Sequence, residues 1–181
     1  MKRIFISVCP LVLIFCFSIA CQDKAAMAEL KQMKAQAELE KQNEATLRRL
    51  LEENDKGNYA LIRELCAPDY RLYFPSNAKP ITFEEHMQAN KAMYAAFPDF
   101  KHTIEDVFAK GDKAVFRATL RGTHKESFMG IPPTGKSFEY SAIGIARFKN
   151  GKIVEIWLNG DFLGLMQQLG MELKPIAIKK K

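Results

Sequence analysis

The sequence predicts an α+β fold, in which helices come first and an antiparallel sheet follows. Apolar residues recur at helical spacing as far as Pro98, and from Phe100 onward they alternate with polar residues. The pair Asn150-Gly151 separates two alternating segments, and it is the preferred sequence of a two-residue type I′ hairpin. Helices followed by hairpin-connected strands are typical of the α+β class.

The helices have recognisable start and stop signals. A first domain helix is expected over 43–55, where leucines mark one face. Asn58 can cap a second helix, and Thr82 with Glu85 has the spacing of a capping box that opens a third. A last helix is predicted over Phe162–Leu169.

The strands follow from the alternation. They are predicted at 70–74, 100–108, 114–121, 137–149 and 152–158. The tight turn at Asn150-Gly151 places Gly144 opposite Trp157, with Ile156 and Leu158 on the other face. Because both sheet faces are largely apolar, helices are expected to cover one face and a second copy of the chain the other, as a homodimer.

The first 20 residues have the layout of a secretory signal peptide. A short cationic start, Met1-Lys2-Arg3, precedes an almost wholly apolar run over 4–19. The segment Ser18-Ile19-Ala20-Cys21 resembles a bacterial lipobox, although Ser18 stands where Leu is commoner. The resemblance implies cleavage before Cys21, lipid attachment to that residue and a place in the bacterial cell envelope, on the outer membrane facing the periplasm. An uncleaved anchor, or an ordinary signal peptide with a chance cysteine, is the alternative.

The rest of the chain is the size of one domain. It is divided into a helical or flexible tether (21–42), a folded domain (43–172) and a basic tail (173–181). Of the four cysteines, Cys66 alone lies in the predicted domain, so it has no internal disulfide partner and is expected to be a buried small hydrophobe in a helix end. The net charge of +6 is spread along the chain, which argues against nucleic acid as a partner.

Five segments together resemble a known family. They are Ala96-Phe97-Pro98-Asp99-Phe100, Arg121-Gly122-Thr123-His124, Gly130-Ile131-Pro132-Pro133-Thr134-Gly135-Lys136, Gly151-Lys152-Ile153-Val154-Glu155 and Asp161-Phe162-Leu163-Gly164-Leu165-Met166-Gln167-Gln168-Leu169-Gly170. In this order they are similar to the SnoaL-like ester cyclases of the nuclear-transport-factor-2-like superfamily. The resemblance implies a curved antiparallel sheet that forms a cone, closed by N-terminal helices around an apolar cavity. It also implies ring closure of a polyketide ester by intramolecular aldol condensation, with no metal and no organic cofactor.

The same resemblance implies that Asp161 is the catalytic acid/base residue. Aldol closure needs a proton taken from a carbon next to a carbonyl group and a proton given to the new alkoxide. Burial in an apolar cavity makes a carboxylate a stronger base, because the charged form loses hydration. Asp161 also directly precedes a predicted helix, and a role as N-cap alone would explain it.

Five further residues are candidates for substrate binding. Family members commonly have His-Trp-Asp where this chain has Ile156-Trp157-Leu158, so two polar side chains are replaced by apolar ones. This replacement favours an apolar ligand or a changed reaction. Tyr73 and His102 join them, because each lies on a predicted strand and can face the cavity. For Tyr73, His102 and Trp157 the alternative is a packing or surface role.

The remaining histidines are not expected to act in the site. His86 lies in the first turn of a predicted helix and His124 at the base of a long loop, so both are expected to be solvated. The three histidines lack the spacing of metal ligands, and no metal site is predicted.

Two hypotheses of function follow. The first is an exported, lipid-anchored enzyme that acts on a small hydrophobic carbonyl or ester substrate by acid/base chemistry. The second is a noncatalytic lipoprotein that binds an apolar ligand or a protein partner. Export favours the second slightly, because polyketide cyclisation usually needs cytoplasmic substrates.

Overall fold

The structure is a computed structural model that describes residues 10–75, 77–172 and 174, with side chains from residue 24 onward. In this part of the chain the helices are α1 (Pro10–Asp55), α2 (Tyr59–Leu65), α3 (Phe83–Ala96) and α4 (Phe162–Leu169). The strands are β1 (Cys66–Tyr73), β2 (Lys101–Lys110), β3 (Lys113–Thr123), β4 (Ser137–Lys149) and β5 (Lys152–Gly160). They form one sheet in the order β1-β5-β4-β3-β2, in which β1 pairs parallel to β5 and the other pairs are antiparallel. The predicted α+β fold is confirmed.

The chain divides into two compact units, Met1–Leu39 and Glu40–Lys181. In the first unit the large apolar side chains that the structure describes are exposed; they are Met27, Leu30, Met33 and Leu39. None of the helices, as far as their residues are described, has the length and apolar character needed to span a bilayer. The side chains of the predicted signal peptide and of Cys21, and most of the basic tail, lie outside the described residues, so their assignments stay predictions.

Side-chain caps fix where α2 and α3 begin. The hydroxyl of Thr82 accepts a hydrogen bond from the backbone N of Glu85, and the Glu85 carboxylate accepts one from the backbone N of Thr82 at 2.6 Å, which confirms the capping box. Asn58 caps α2 by accepting from the backbone N of Leu61, also as predicted.

Strand β1 begins earlier than the sequence predicted. Helix α2 ends at Leu65 with Cys66 as its C-cap, whose backbone N–H donates to the carbonyl of Ile62, so Cys66 lies at a helix end as predicted. Strand β1 runs from Cys66 through Pro68 to Tyr73. Proline is tolerated because β1 is an edge strand and its register against β5 shifts between Cys66 and Arg71. Cys66 is buried as expected, and burial raises the pKa of its thiol to about 12.

A β-bulge near the start of β5 reverses the predicted faces of that strand. The Asn150-Gly151 turn has positive φ at both residues, 52° and 72°, which confirms the hairpin. After two residue pairs Arg147 pairs with Glu155, so Val154 is an extra residue that has no partner on β4. A shift of one residue turns every following side chain to the opposite face.

The predicted contact between Gly144 and Trp157 is therefore wrong. Gly144 pairs with Leu158, and Trp157 pairs with Ile145. The Phe116 ring of β3 occupies the space over Gly144, since a Cβ at residue 144 would lie 2.2 Å from that ring. Glycine is required here by close packing within the sheet rather than by its backbone angles.

The bulge gives the sheet two different faces. We call inner face the side whose side chains are buried against the helices; they include Phe116, Leu120, Phe138, Tyr140 and Ile156. We call outer face the opposite side; its side chains include Arg117, Ile143, Ile145, Glu155 and Trp157. A second bulge, with Glu105 as the extra residue, lies between Ile104 and Asp106 of β2. It turns Phe108 to the outer face, where 57% of its surface is exposed.

Candidate functional site

Two of the predicted site residues, His102 and Asp161, lie at the start of β2 and directly after β5. His102 on β2 pairs with Leu120, and Leu120 pairs with Tyr140 on β4. The Tyr140 ring lies 5.8 Å from that of Phe162, the first residue of α4, and Asp161 directly precedes it. With strands about 4.8 Å apart, three strand spacings put His102 and Asp161 about 14 Å from each other. The two side chains therefore cannot act on the same bond.

Asp161 is exposed and caps α4. Its carboxylate accepts a hydrogen bond from the backbone N of Gly164 at 2.8 Å, so the predicted N-cap is confirmed. A Cβ at Gly164 would lie 2.2 Å from the carboxylate, which explains the glycine at this position. The expectation that this carboxyl group is buried in an apolar cavity is wrong.

Ile156 and Leu158 point to the inner face. Ile156 is 3% exposed and pairs with Ala146, whereas Leu158 is half-buried against the core and pairs with Gly144. The two apolar replacements noted in the sequence thus share one face, and that face is turned to the interior. At these positions the inner face offers no group that can transfer a proton.

Tyr73 and Trp157 lie on the outer face of the sheet. Tyr73 pairs with Trp157 across β1 and β5, and their rings stack at 5.3 Å with 14° between the planes. Trp157 is 37% exposed. The predicted position of these two residues at an interior cavity is wrong, because the bulge at Val154 turns the indole outward.

His102 is held by an acidic partner that sequence reasoning missed. Its Nδ1 lies 2.6 Å from the carboxylate of Asp55, the last residue of α1, and the Tyr94 hydroxyl donates to the same carboxylate at 2.9 Å. Asp55 was noted only as the end of a helix. The signal in the sequence that could have identified Asp55 is its position in the last turn of a helix. A carboxylate there interacts unfavourably with the helix dipole and needs hydrogen-bond donors from other elements.

Two clefts open on the domain surface. One, of about 550 Å³, is lined in part by Asp55, His102 and Thr103. The other, of about 450 Å³, is lined in part by Asp99 and Thr123. The Thr123 hydroxyl and backbone N donate to Asp99 at 2.7 and 2.6 Å and lower the pKa of that carboxyl group. Asp99 is thus engaged in a structural contact, whereas the first cleft contains an imidazole.

The prediction that His86 and His124 are solvated is wrong. His86 is 8% exposed, its Nδ1 lies 3.0 Å from the buried Tyr70 hydroxyl in a hydrogen bond, and burial lowers its pKa to about 4. His124 is fully buried, and its Nδ1 accepts from the backbone N of Thr134 at 3.3 Å. Its ring lies 5.2 Å from that of Phe97, so both histidines are parts of the core.

The domain matches a family model and several solved structures. Residues 45–169 match the model of the SnoaL-like polyketide cyclases. IdmH from Streptomyces antibioticus, a candidate polyketide cyclase, is 34% identical over 70% of this chain and 97% of its own, with a TM-score of 0.64. A SnoaL-like candidate polyketide cyclase from Jannaschia sp. CCS1 is 26% identical over 75% of this chain and 96% of its own, with a TM-score of 0.68.

A third structure has a different named activity. AclR from Streptomyces galilaeus, a candidate hydroxylase, is 25% identical over 75% of this chain and 97% of its own, with a TM-score of 0.65. Among curated proteins none matches. Shared architecture with a cyclase and with a hydroxylase means that the fold alone does not fix the reaction.

The predicted cone architecture is confirmed by these structures, which share the open sheet and its covering helices. The family model spans more than half of the chain and includes both His102 and Asp161. The chain belongs to the SnoaL-like polyketide cyclase family.

Proposed function

We propose that this protein is an enzyme that acts on a small hydrophobic carbonyl or ester substrate by acid/base chemistry of the aldol cyclisation type. The observation that carries the proposal is the match of residues 45–169 to the cyclase family, with Asp161 placed where β5 passes into α4. Phe162 directly follows Asp161, and its ring lies 5.8 Å from that of Tyr140 and 6.4 Å from that of Phe74. These three rings form an apolar wall.

In this mechanism the Asp161 carboxylate takes a proton from a carbon next to a substrate carbonyl group. The resulting enolate attacks a second carbonyl of the same molecule, and the protonated carboxyl group gives its proton to the new alkoxide. The Gly164 amide fixes the carboxylate at 2.8 Å and leaves its other oxygen for the substrate. Holding both ends of one substrate on an apolar surface favours ring closure over reaction in water.

Asp161→Asn is expected to lower the turnover of a cyclisable ketoester about 10²–10⁴-fold, because the base is removed. Asn caps helices as well as Asp, so α4 and the stability of the domain are retained. The measurement is product formation by purified full-length protein, followed by chromatography. Asp69→Asn, which removes an exposed carboxylate on β1, is the matched control and keeps the rate. Equal turnover by Asp161→Asn and the wild type rejects the catalytic proposal.

A noncatalytic binding protein is the second candidate, and two observations favour it. The Asp161 carboxylate is exposed and already serves as a cap, and both Ile156 and Leu158 place apolar groups on the inner face. A protein of this kind binds an apolar fluorescent probe such as anilinonaphthalene sulfonate and turns over no ketoester. Asp161→Asn then leaves the affinity for the probe unchanged.

Export and lipid attachment at Cys21 belong to the same proposal, with the domain on the outer membrane facing the periplasm. They rest on Ser18-Ile19-Ala20-Cys21 after an apolar run. In bacterial cells supplied with radioactive palmitate, the wild type is expected to carry label and to sediment with membranes. Cys21→Ser is expected to lose both properties. Label that persists on the variant shows that another residue is acylated, and a wild type without label shows that none is.

A homodimer through the outer face completes the proposal. Four apolar side chains are exposed there: Phe108 at 57%, Ile143 at 52%, Ile145 at 39% and Trp157 at 37%. Two ion pairs, Arg117–Asp106 and Arg147–Glu155, flank these side chains. The outer face therefore presents charges of both signs, and a second copy of the chain can place opposite charges beside them.

Ile143→Lys is expected to convert the dimer to a monomer in sedimentation velocity, because it places a cation in the apolar contact. Leu163→Lys, at an exposed position of α4, is the matched control and keeps the dimer. A wild type that sediments as a monomer at all accessible concentrations rejects this interface.

A further inference from the structure

The Asp55–His102 pair has the geometry of an oriented acid/base residue. Three donors converge on the Asp55 carboxylate: the Tyr94 hydroxyl at 2.9 Å, the backbone N of His102 at 3.1 Å, and His102 Nδ1 at 2.6 Å. The side chains of Asp55 and His102 are 20% and 13% exposed, so the contact is largely shielded from water. The carboxylate is thus fixed from three directions and in turn fixes the ring.

The hydrogen bond defines which nitrogen is free. An ionised carboxylate only accepts, so Nδ1 carries a hydrogen, and in the neutral form of the imidazole the lone pair lies on Nε2. Among the described residues no group hydrogen-bonds to His102 Nε2, and the atom is not buried; the buried side-chain nitrogen without a partner is on His124 instead. Within the described part of the chain, His102 Nε2 is therefore left without a hydrogen-bond partner.

His102 lines a cleft on the domain surface. The cleft measures about 550 Å³ and is formed by the end of α1 and the start of β2. The cleft is broad and open to solvent. The pattern of a carboxylate that orients an imidazole, whose second nitrogen opens on a cleft, is the arrangement that general bases have in enzymes.

The charges of the cleft indicate which ligand it takes. Its lining includes the cations Arg48, Lys56 and Lys101 and the acid Glu52, besides the His102–Asp55 pair. Lys56 is bound to Glu53 at 2.9 Å, and within the described part of the chain neither Arg48 nor Lys101 has an ion-pair partner at that range. Two cations are therefore available to bind the carboxylate of a ligand. An apolar substrate on the inner face would not use these cations.

We propose that His102, oriented by Asp55, is the acid/base residue of a second site that takes small carboxylates with an acidic C–H next to a carbonyl group. Arg48 and Lys101 hold the ligand carboxylate, and Nε2 takes the proton from the carbon. The electrons of the C–H bond form the C=C bond of the enolate, whose charge rests on oxygen. Nε2–H then returns the proton to carbon, and Asp55 stabilises the imidazolium between the two steps. This site does not depend on Asp161, which lies about 14 Å away across three strands.

Pyruvate is the probe, since it has a carboxylate and a methyl group next to a carbonyl. In D₂O the full-length protein is expected to replace the methyl hydrogens by deuterium faster than buffer does, measured by proton NMR.

His102→Asn is the decisive variant, because the Asn amide can still donate to Asp55 and has no atom at the position of Nε2. The exchange rate is expected to fall about 100-fold or more. Arg48→Gln is expected to raise the pyruvate concentration at half-saturation and to leave the maximal rate unchanged. Asp69→Asn is the control and keeps both values. Exchange no faster than in buffer, or equal rates for the wild type and His102→Asn, overturns the proposal.

Diethyl pyrocarbonate gives a readout that needs no substrate. It acylates accessible imidazole nitrogens, and His86 and His124 are 8% and 0% exposed. One histidine is expected to react in the folded protein, and this reaction is expected to be absent from His102→Asn. A wild type in which His102 does not react shows that Nε2 is blocked, which also overturns the proposal. Loss of ketoester turnover in Asp161→Asn with normal pyruvate exchange, or the reverse, shows which of the two proposed sites fails.

Discussion

Replacing Phe97 by Ala is expected to lower the free energy of unfolding by about 3–5 kcal/mol. Phe97 is fully buried, and its ring lies 4.9 Å from both Phe128 and Phe138 and 5.2 Å from His124. These partners come from β4 and from the long loop between β3 and β4, so one ring joins the end of α3 to both. Its removal leaves a cavity that the surrounding rings cannot close without losing their own contacts.

Phe108→Ala is the matched control for this prediction. The same side chain is removed, but Phe108 is 57% exposed on the outer face. In the monomer the expected change is within about 0.5 kcal/mol, as for other exposed positions, so the comparison is made below the concentration at which the proposed dimer forms. Urea unfolding at a single protein concentration measures both variants, and the midpoint should move for Phe97→Ala alone. Equal losses would mean that the aromatic cluster around Phe97 is not the centre of the core.

Acidification from pH 7 to pH 5 is expected to lower the free energy of unfolding by about 2 kcal/mol through His86 alone. Burial holds the pKa of His86 at about 4, against an ordinary value of 6.5. Below pH 6.5 the unfolded chain binds a proton that the folded protein does not bind, so stability falls as the pH falls. The loss grows by about 1.4 kcal/mol per pH unit and levels off below the folded pKa.

The carboxyl groups with lowered pKa values affect stability in a different pH range from His86. Hydrogen bonds from Thr82 and from Arg147 lower the pKa values of Glu85 and Glu155, so the stability they contribute is lost only below their ordinary value of 4.5. His86→Asn, which retains an acceptor for Tyr70, is expected to remove most of the slope between pH 7 and pH 5. Phe97→Leu lowers stability but retains His86, and the slope should persist. An unchanged slope in His86→Asn would assign it to another group.

Local chemistry allowed much of the secondary structure to be predicted. The Thr82–Glu85 capping box, the Asn150-Gly151 turn and the Asp161 cap depend on residues at most three apart. Interactions over so short a distance are present whatever the rest of the chain does. The ordered family segments added the cone architecture, because they span the whole domain.

The faces of the strands could not be predicted in this way. Val154 and Glu105 are extra residues whose sequence context is ordinary for a strand. A bulge forms when the packing of both faces improves by more than the lost pairing costs, and this depends on partners in other elements. As a result, the sequence misplaced Trp157, whose indole lies on the outer face.

By itself, the sequence determined the class of the fold, the family and the positions of caps and turns, since these rest on short-range preferences and on ordered motifs. Tertiary structure decided which polar groups meet. Asp55 and His102 are 47 residues apart in the chain, and His86 meets Tyr70 only because α3 packs against β1. Tertiary structure also decided the burial of His86 and the exposure of Asp161, because the solvation of a side chain depends on all the residues that pack around it.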